Sequence, residues 1–392
     1  MHLRRILLNA SIVASALAFQ VTDVAKLPPP FATPSVNNAP HVIPKPAGAK
    51  LNVPAGFRIE EWADGFERPR FMILGPGNEI ILADSARKPR GTVYVIDRNK
   101  QRKKLIDGLY QPYGLALWGG YLYVGESDSV KKYKYDEKAM TAGPGQETIS
   151  LKGIDTHHWT RSLLIDREGK KIYVGVGSGS NDSPGEDQRR AAISRYNLDG
   201  SGHEIFAAGT RNPIGIHWYP GTDTLWAAVQ ERDTLGDDLV PDYFTHIQQG
   251  GFYGWPFAYS GPREDPLNKG KNPGLVAKTI TPDVLLGSHV AVLDFLFYTG
   301  KMFPAEYQGG AFIALHGSWN RSKRVGQSIT FIPFKDAKPS GPTRQVLTGW
   351  MLGPDQRDVW GRPVALLQLP DGSILISEDG GNKIWRLSFK GT

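Results

Sequence analysis

The sequence predicts an all-β protein built as a six-bladed β-propeller, on three observations. Of its 392 residues, 45 are glycine and 29 are proline, and only 40% are hydrophobic; that is a turn-rich composition. No apolar run approaches the ~20 residues needed to cross a bilayer. A pair of short strands joined by a Gly, Pro, Asn or Asp turn recurs six times along the chain, which is the signature of blades and not of helices. Two packed β-sandwiches are the competing architecture.

The elements follow in order. Arg4 and Arg5 precede a mostly apolar stretch from Ile6 to Phe19, and Ala16-Leu17-Ala18 offers a small-x-small cleavage site, so residues 1–25 read as a secretory signal. An uncleaved anchor is the alternative, disfavoured by the short apolar stretch. Residues 26–50 are Pro-rich without hydrophobic periodicity and read as an extended linker. Residues 51–392 form the propeller domain. Phe57–Ala63 alternates like a strand ahead of the first repeat; it is expected to supply the outer strand of the last blade and close the ring, protecting the sheet edges. Inner strands are expected at 71–74, 113–117, 162–165, 214–218, 293–297 and 364–369. Their partners are expected at 80–83, 122–125, 172–175, 225–228, 312–315 and 374–377. Turn signals such as Gly75-Pro76-Gly77-Asn78, Trp118-Gly119-Gly120 and Pro370-Asp371-Gly372 separate the two strands of a pair. The widest interval, between residues 230 and 311, marks an insertion.

Composition excludes several functions. There is no cysteine, hence no disulfide, thiolate nucleophile, Cys-ligated zinc or iron–sulfur cluster. The net charge of +7 is spread without a Lys/Arg block, so nucleic acid is not an expected partner. No G-x-S-x-G elbow, Walker loop, strand-following G-x-G-x-x-G or H-E-x-x-H is present.

The chemistry is expected where the inner strands begin, because all six start at one face of the central channel. The residues just before or at those starts are Arg68 and Arg70; Gln111 and Tyr113; His158 and Arg161; Arg211 and Asn212; His289; and Arg362. Cations packed around one axis repel unless an anion joins them. The set suits a multiply charged planar anion, since arginine binds carboxylates bidentately; a solvated basic rim is the bland alternative. His157-His158-Trp159-Thr160-Arg161 places an imidazole at the channel mouth, where it serves either as a general base or as structure. Residues 231–242 hold five acids and suit a hard, oxygen-ligated cation such as calcium, or form an exposed acidic turn.

Six motifs in fixed order carry a resemblance: His157-His158-Trp159-Thr160-Arg161, Gly209-Thr210-Arg211-Asn212-Pro213, Leu235-Gly236-Asp237-Asp238, Gly250-Gly251-Phe252-Tyr253-Gly254-Trp255-Pro256, Ala314-Leu315-His316-Gly317-Ser318-Trp319-Asn320-Arg321 and Trp360-Gly361-Arg362-Pro363. With them the chain resembles, over roughly residues 50–390, the soluble pyrroloquinoline quinone (PQQ) dehydrogenases of the glucose/sorbosone family, nearest the sorbosone dehydrogenase-like branch. The resemblance implies a quinone with three carboxylates lying over the channel. It implies that His158 removes the substrate hydroxyl proton while hydride moves to the quinone C5. Arg211 and Asn212 would hold the cofactor and polarise its C5 carbonyl, with Arg161, Arg232, Arg321 and Arg362 as further cofactor contacts. Backbone carbonyls of Asp233 and Thr234 would hold calcium. The chain departs from the glucose-oxidising branch at Ser178, which stands where that branch has an aspartate. The family's cofactor lysine has no clear match, although Arg321, Lys323 and Arg324 lie in the right blade.

The implied function is PQQ- and calcium-dependent oxidation of an aldose or sugar-derived aldehyde. It calls for a soluble electron acceptor, no membrane span, and a periplasmic or secreted location. A lactonase-like, calcium-dependent propeller hydrolase and a non-catalytic ligand-binding propeller are the alternatives.

Overall fold

A computed structural model describes residues 23–391. The secretory signal expected at 1–25 lies outside the described residues except for its last three.

Six antiparallel sheets follow one another along the chain, each with four or five strands. Blade 1 comprises Pro69–Leu74, Ile80–Asp84, Gly91–Ile96 and Arg102–Leu109. Blade 2 starts with Leu115–Trp118 and Tyr121–Glu126, blade 3 with Arg161–Ile165 and Lys171–Val176, and blade 4 with Asn212–Trp218 and Leu225–Gln230. Blade 5 starts with Val292–Phe297 and Ala311–Leu315. Blade 6 contains Pro363–Gln368, Ile374–Glu378 and Lys383–Phe389. Its outer strand is Phe57–Ala63, paired antiparallel with Lys383–Phe389. Each innermost strand packs against those of both neighbouring blades, and blade 6 against blade 1, so the ring is complete. The chain is a six-bladed β-propeller.

The strands form where period-2 patterning and β-branched residues coincide, as in Thr92-Val93-Tyr94-Val95-Ile96. Because each sheet is covered on both faces by its neighbours, the second strands read as continuous apolar runs; Ile80-Ile81-Leu82-Ala83 is buried throughout. Below the mouth the axis is closed. Phe71, Tyr113, Leu115, Ile214, Leu293, Val364 and Ala365 share one apolar cluster, and the fully buried Asp294 accepts from His217 Nε2 at 2.7 Å and from the Leu366 N–H at 3.0 Å. The channel is therefore a blind site.

The insertion sits between the third and fourth strands of blade 4. It contains a short helix, Pro273–Lys278, and Gly251–Phe252, which pairs parallel to the outer strand of blade 3.

The Pro-rich segment expected as a linker is extended but docked. Phe31 N–H donates to the Leu235 carbonyl (2.8 Å) and Asn38 N–H to the Trp319 carbonyl (2.7 Å). Thr33 Oγ1 accepts from the Asp237 N–H (2.7 Å), and His41–Val42 pairs in parallel with Asp358–Val359. Proline removes donors, so the strap depends on its few remaining N–H groups and on side chains such as Asn38.

Candidate active site

The mouth of the channel is assembled from two sets of residues: those that precede the inner strands, and those that follow the second strands. In an antiparallel pair these lie at the same end. Asn212 pairs with Gln230, Arg161 with Val176 and Pro363 with Glu378. Residues one or two positions beyond the second strand therefore also face the mouth.

On blade 3, His158 is fixed by such a residue. Its Nδ1 lies 2.8 Å from the Ser178 carbonyl and 3.2 Å from Ser178 Oγ. A carbonyl only accepts, so Nδ1 carries the proton and Nε2 keeps a lone pair. Ser178 Oγ donates to the Ser180 carbonyl at 2.6 Å. Burial first, then the nearby Arg211 and His157, hold the His158 pKa well below 6.5; the imidazole is neutral at pH 7, as a base requires. What orients His158 in place of an aspartate is thus the backbone of Ser178. Gly177 makes the approach possible: a Cβ there would lie 2.3 Å from Asn212 Oδ1 and 2.6 Å from His158 Cβ.

Arg211 and Asn212 adjoin His158. Arg211 is buried and donates to the Glu231 carbonyl (2.6 Å), the Asn181 carbonyl (3.2 Å) and Asn181 Oδ1 (3.1 Å). Asn212 Nδ2 donates to Gln230 Oε1 at 3.1 Å, while its buried Oδ1 has no partner among the described residues.

The opposite side of the mouth carries Arg68, Arg70 and Arg362. The Arg68 and Arg70 guanidinium carbons lie 4.9 and 5.3 Å from the centre of the Trp159 ring, next to His158. Arg362 donates to the His316 and Gly317 carbonyls at 3.3 and 3.4 Å. Burial, Arg70 and Arg68 push the Arg362 pKa down to about 10, with Asp379 working the other way. Asp379 lies among them and was not visible as a site residue in the sequence. Nor was the pairing of His316 Nε2 with Asp379 Oδ1 at 2.7 Å. Burial and Arg362 lower the His316 pKa to about 3 despite that carboxylate.

Three of the expected cofactor contacts are occupied elsewhere. Arg161 is fully buried and turned into blade 3, donating to the carbonyls of His158 and Thr160 at 2.8 Å and to that of Ile154. It supports the histidine loop and does not reach the channel. Arg232 is buried between Asp265 (2.7 Å) and Asp182 (2.8 Å). Arg321 donates to the Asp237 carbonyl and pairs with Asp238 at 2.7 Å.

Of the two carbonyls expected to hold calcium, that of Asp233 is engaged as well. Its carbonyl already accepts from Arg232 Nε and Asn181 Nδ2, each at 3.1 Å, and a guanidinium on a carbonyl opposes a metal ion there. Thr234, exposed and at φ 72°, keeps its N–H on Asn320 Oδ1 (2.8 Å). The Asp233 side chain lies 3.6 Å from Arg211 and 3.1 Å from His289 Nδ1, whose Nε2 faces the Gly236 carbonyl at 2.9 Å. Acceptors at both ring nitrogens favour the doubly protonated form of His289. Burial opposes that charge, but Asp233 and Gly236 outweigh it and raise the pKa. Among the described residues no group of three His, Asp or Glu side chains is placed to hold a metal.

The TrAA12-like family matches residues 51–242 and 271–389. The chain belongs to the TrAA12-like family. It is 28% identical over 352 residues to an uncharacterised protein of Borreliella burgdorferi, covering 87% of this chain and 91% of that one. It is 24% identical over 409 residues to the pyrroloquinoline quinone-dependent pyranose dehydrogenase of Coprinopsis cinerea, covering 86% of this chain but 54% of the relative, so this TrAA12-like chain spans about half of that protein. The solved PQQ domain of the same pyranose dehydrogenase superposes with a TM-score of 0.73 at 20% identity, covering 88% and 98% of the two chains. A calcium structure of the Trichoderma reesei family AA12 enzyme gives 0.75 at 21%, covering 91% and 100%.

Proposed function

We propose that this chain is a PQQ-dependent dehydrogenase that oxidises an aldose or sugar-derived aldehyde, with His158 as general base. One observation carries the reading: a histidine with its proton fixed on Nδ1 and its Nε2 lone pair free stands at the mouth of a blind channel faced by arginines. The donors fit a quinone tricarboxylate, with Arg68, Arg70 and Arg362 available to its carboxylates; the orphaned Asn212 Oδ1 beside His158 is an acceptor that a ligand N–H or O–H would satisfy. When bound, that cofactor supplies a two-electron acceptor for hydride. His158 takes the substrate hydroxyl proton at Nε2 while the adjacent C–H hydrogen leaves with its electron pair. Arg211 beside it disfavours a second proton on the imidazole before turnover.

The Coprinopsis cinerea relative is named a pyranose dehydrogenase, so a sugar in its pyranose form is the substrate class we favour over sorbosone. An exported location, which rests on the signal-like pattern of residues 1–25, and a soluble electron acceptor complete the proposal. The test is to mix purified apoprotein with PQQ and follow reduction of an artificial acceptor across a panel of sugars. Reduction with at least one aldose is expected. No reduction with any sugar, together with no PQQ binding, refutes the proposal.

A further inference from the structure

Asp379 follows the second strand of blade 6 and gathers groups from three blades. Its Oδ2 accepts from Arg70 Nη2 and from Arg68 Nε (3.3 Å), both of blade 1. Its Oδ1 takes His316 Nε2 of blade 5 at 2.7 Å. Its own N–H donates to the Arg362 carbonyl at 3.1 Å. The side chain is 6% exposed. Burial alone would favour the neutral acid, but Arg70, His316 and Arg362 outweigh it and keep the carboxylate ionised.

For an anion site this residue is a paradox. A carboxylate in the middle of an arginine ring cancels one positive charge and weakens the attraction for any incoming anion. Its benefit is geometric. Without it the neighbouring Arg68 and Arg70 guanidiniums repel each other, and each regains its rotamers; with it both are held against the Trp159 ring before the ligand arrives. We propose that Asp379 is the positioning residue of the cofactor site, fixing Arg68 and Arg70 for a planar polycarboxylate. The proposal deepens the functional reading above and rests on it for the identity of the ligand.

Charge and geometry give opposite signs for one substitution. Asp379→Asn adds a net positive charge, so a purely electrostatic site binds anions more tightly; a pre-positioned site binds them more weakly. Affinity is read by fluorescence quenching of the apoprotein with two probes, PQQ and benzene-1,3,5-tricarboxylate, alongside the melting temperature. The expected result is a loss of about ten- to a hundredfold for both probes in Asp379→Asn, the scale of hydrogen bonds to charged groups. In Asp379→Glu, which restores the charge, most of that loss is recovered. Equal or tighter binding in Asp379→Asn at an unchanged melting temperature overturns the proposal. If Asp379→Asn does not fold, Asp379→Glu decides, since its longer reach must still weaken both probes; equal or tighter binding overturns it. Wild-type protein that binds the tricarboxylate but not PQQ removes the PQQ reading and leaves the tricarboxylate arm to decide on Asp379. Wild-type protein that binds neither removes both.

Discussion

On blades 1, 5 and 6 a single carboxylate, Asp379, holds Arg68, Arg70 and His316, whereas on blades 3 and 4 Arg211 is bonded to carbonyl oxygens and presses on a neutral histidine. The first side has an internal counter-ion and stacks its cations on Trp159. On the second side Arg211 is spent on the Glu231 and Asn181 carbonyls and on Asn181 Oδ1, with Asp233 further off at 3.6 Å, and the reactive atom, His158 Nε2, is left free by a proton fixed on the other nitrogen. The difference separates two tasks. A binding side tolerates charge because it is neutralised in place; a reacting side must keep its base uncharged, which burial and a nearby cation accomplish together.

The strongest way to break that division is His158→Ala. Turnover should fall by about 10²–10⁴-fold, the usual contribution of a general base, while PQQ affinity stays close to wild type. If affinity falls in step with turnover, His158 belongs to the binding side. Gly177→Ala comes next. Its Cβ has no room between Asn212 and His158, so it should cut kcat by displacing the base and cost about 1–3 kcal/mol of stability, seen as a lower denaturant midpoint; unchanged kcat would mean that the base tolerates displacement.

Acidity sharpens the same contrast. Because the His158 pKa lies well below 6.5 in the folded chain, the acid limb of the kcat/KM profile should fall below pH 6.5. The sign for stability agrees. The unfolded chain takes up the proton first, so the contribution of His158 is intact above about pH 6.5 and declines as pH drops towards the folded pKa. A limb centred above 6.5 would contradict the neutral-histidine account. Asn320→Ala probes the loop beside the reacting side. It strips the acceptor from the Thr234 N–H and the donor from the Val36 carbonyl, for an expected loss of about 1–3 kcal/mol with a smaller change in kcat than Gly177→Ala. Chelation with EGTA should have the smallest effect, leaving PQQ affinity and melting temperature essentially unchanged; a large drop in either would show that a bound divalent cation supports the site.

Most of the fold could be read from the residues because strand periodicity and turn chemistry are local. The inner and second strands fall within one to two residues of expectation at nearly every end, and Phe57–Ala63 closes blade 6. The site was legible by half. Arg68, Arg70, His158, Arg211, Asn212 and Arg362 meet because they precede inner strands. Arg161, Arg232 and Arg321 carry the right charge, but backbone carbonyls and local acids claim them, and that competition depends on side-chain direction. Asp379, His316 and Ser178 were reachable by the complementary geometric rule, that residues following a second strand share the face of those preceding the first. The docking of residues 26–50 was not legible, since a proline-rich stretch shows no periodicity whether or not it finds acceptors.

That docking bears on the order in which the chain can complete itself. The strap binds residues 235–237, 319–324 and 357–359, and the closing strand waits for 383–389. Both N-terminal pieces emerge from the ribosome first, yet each finds its partner two hundred or more residues later. Loop closure over such distances is slow. Closing the ring, which joins the two ends of the folded body, is therefore expected late in folding, and a protein truncated within blade 6 would keep every partner of its strap but leave Phe57–Ala63 unpaired beside an open sheet edge.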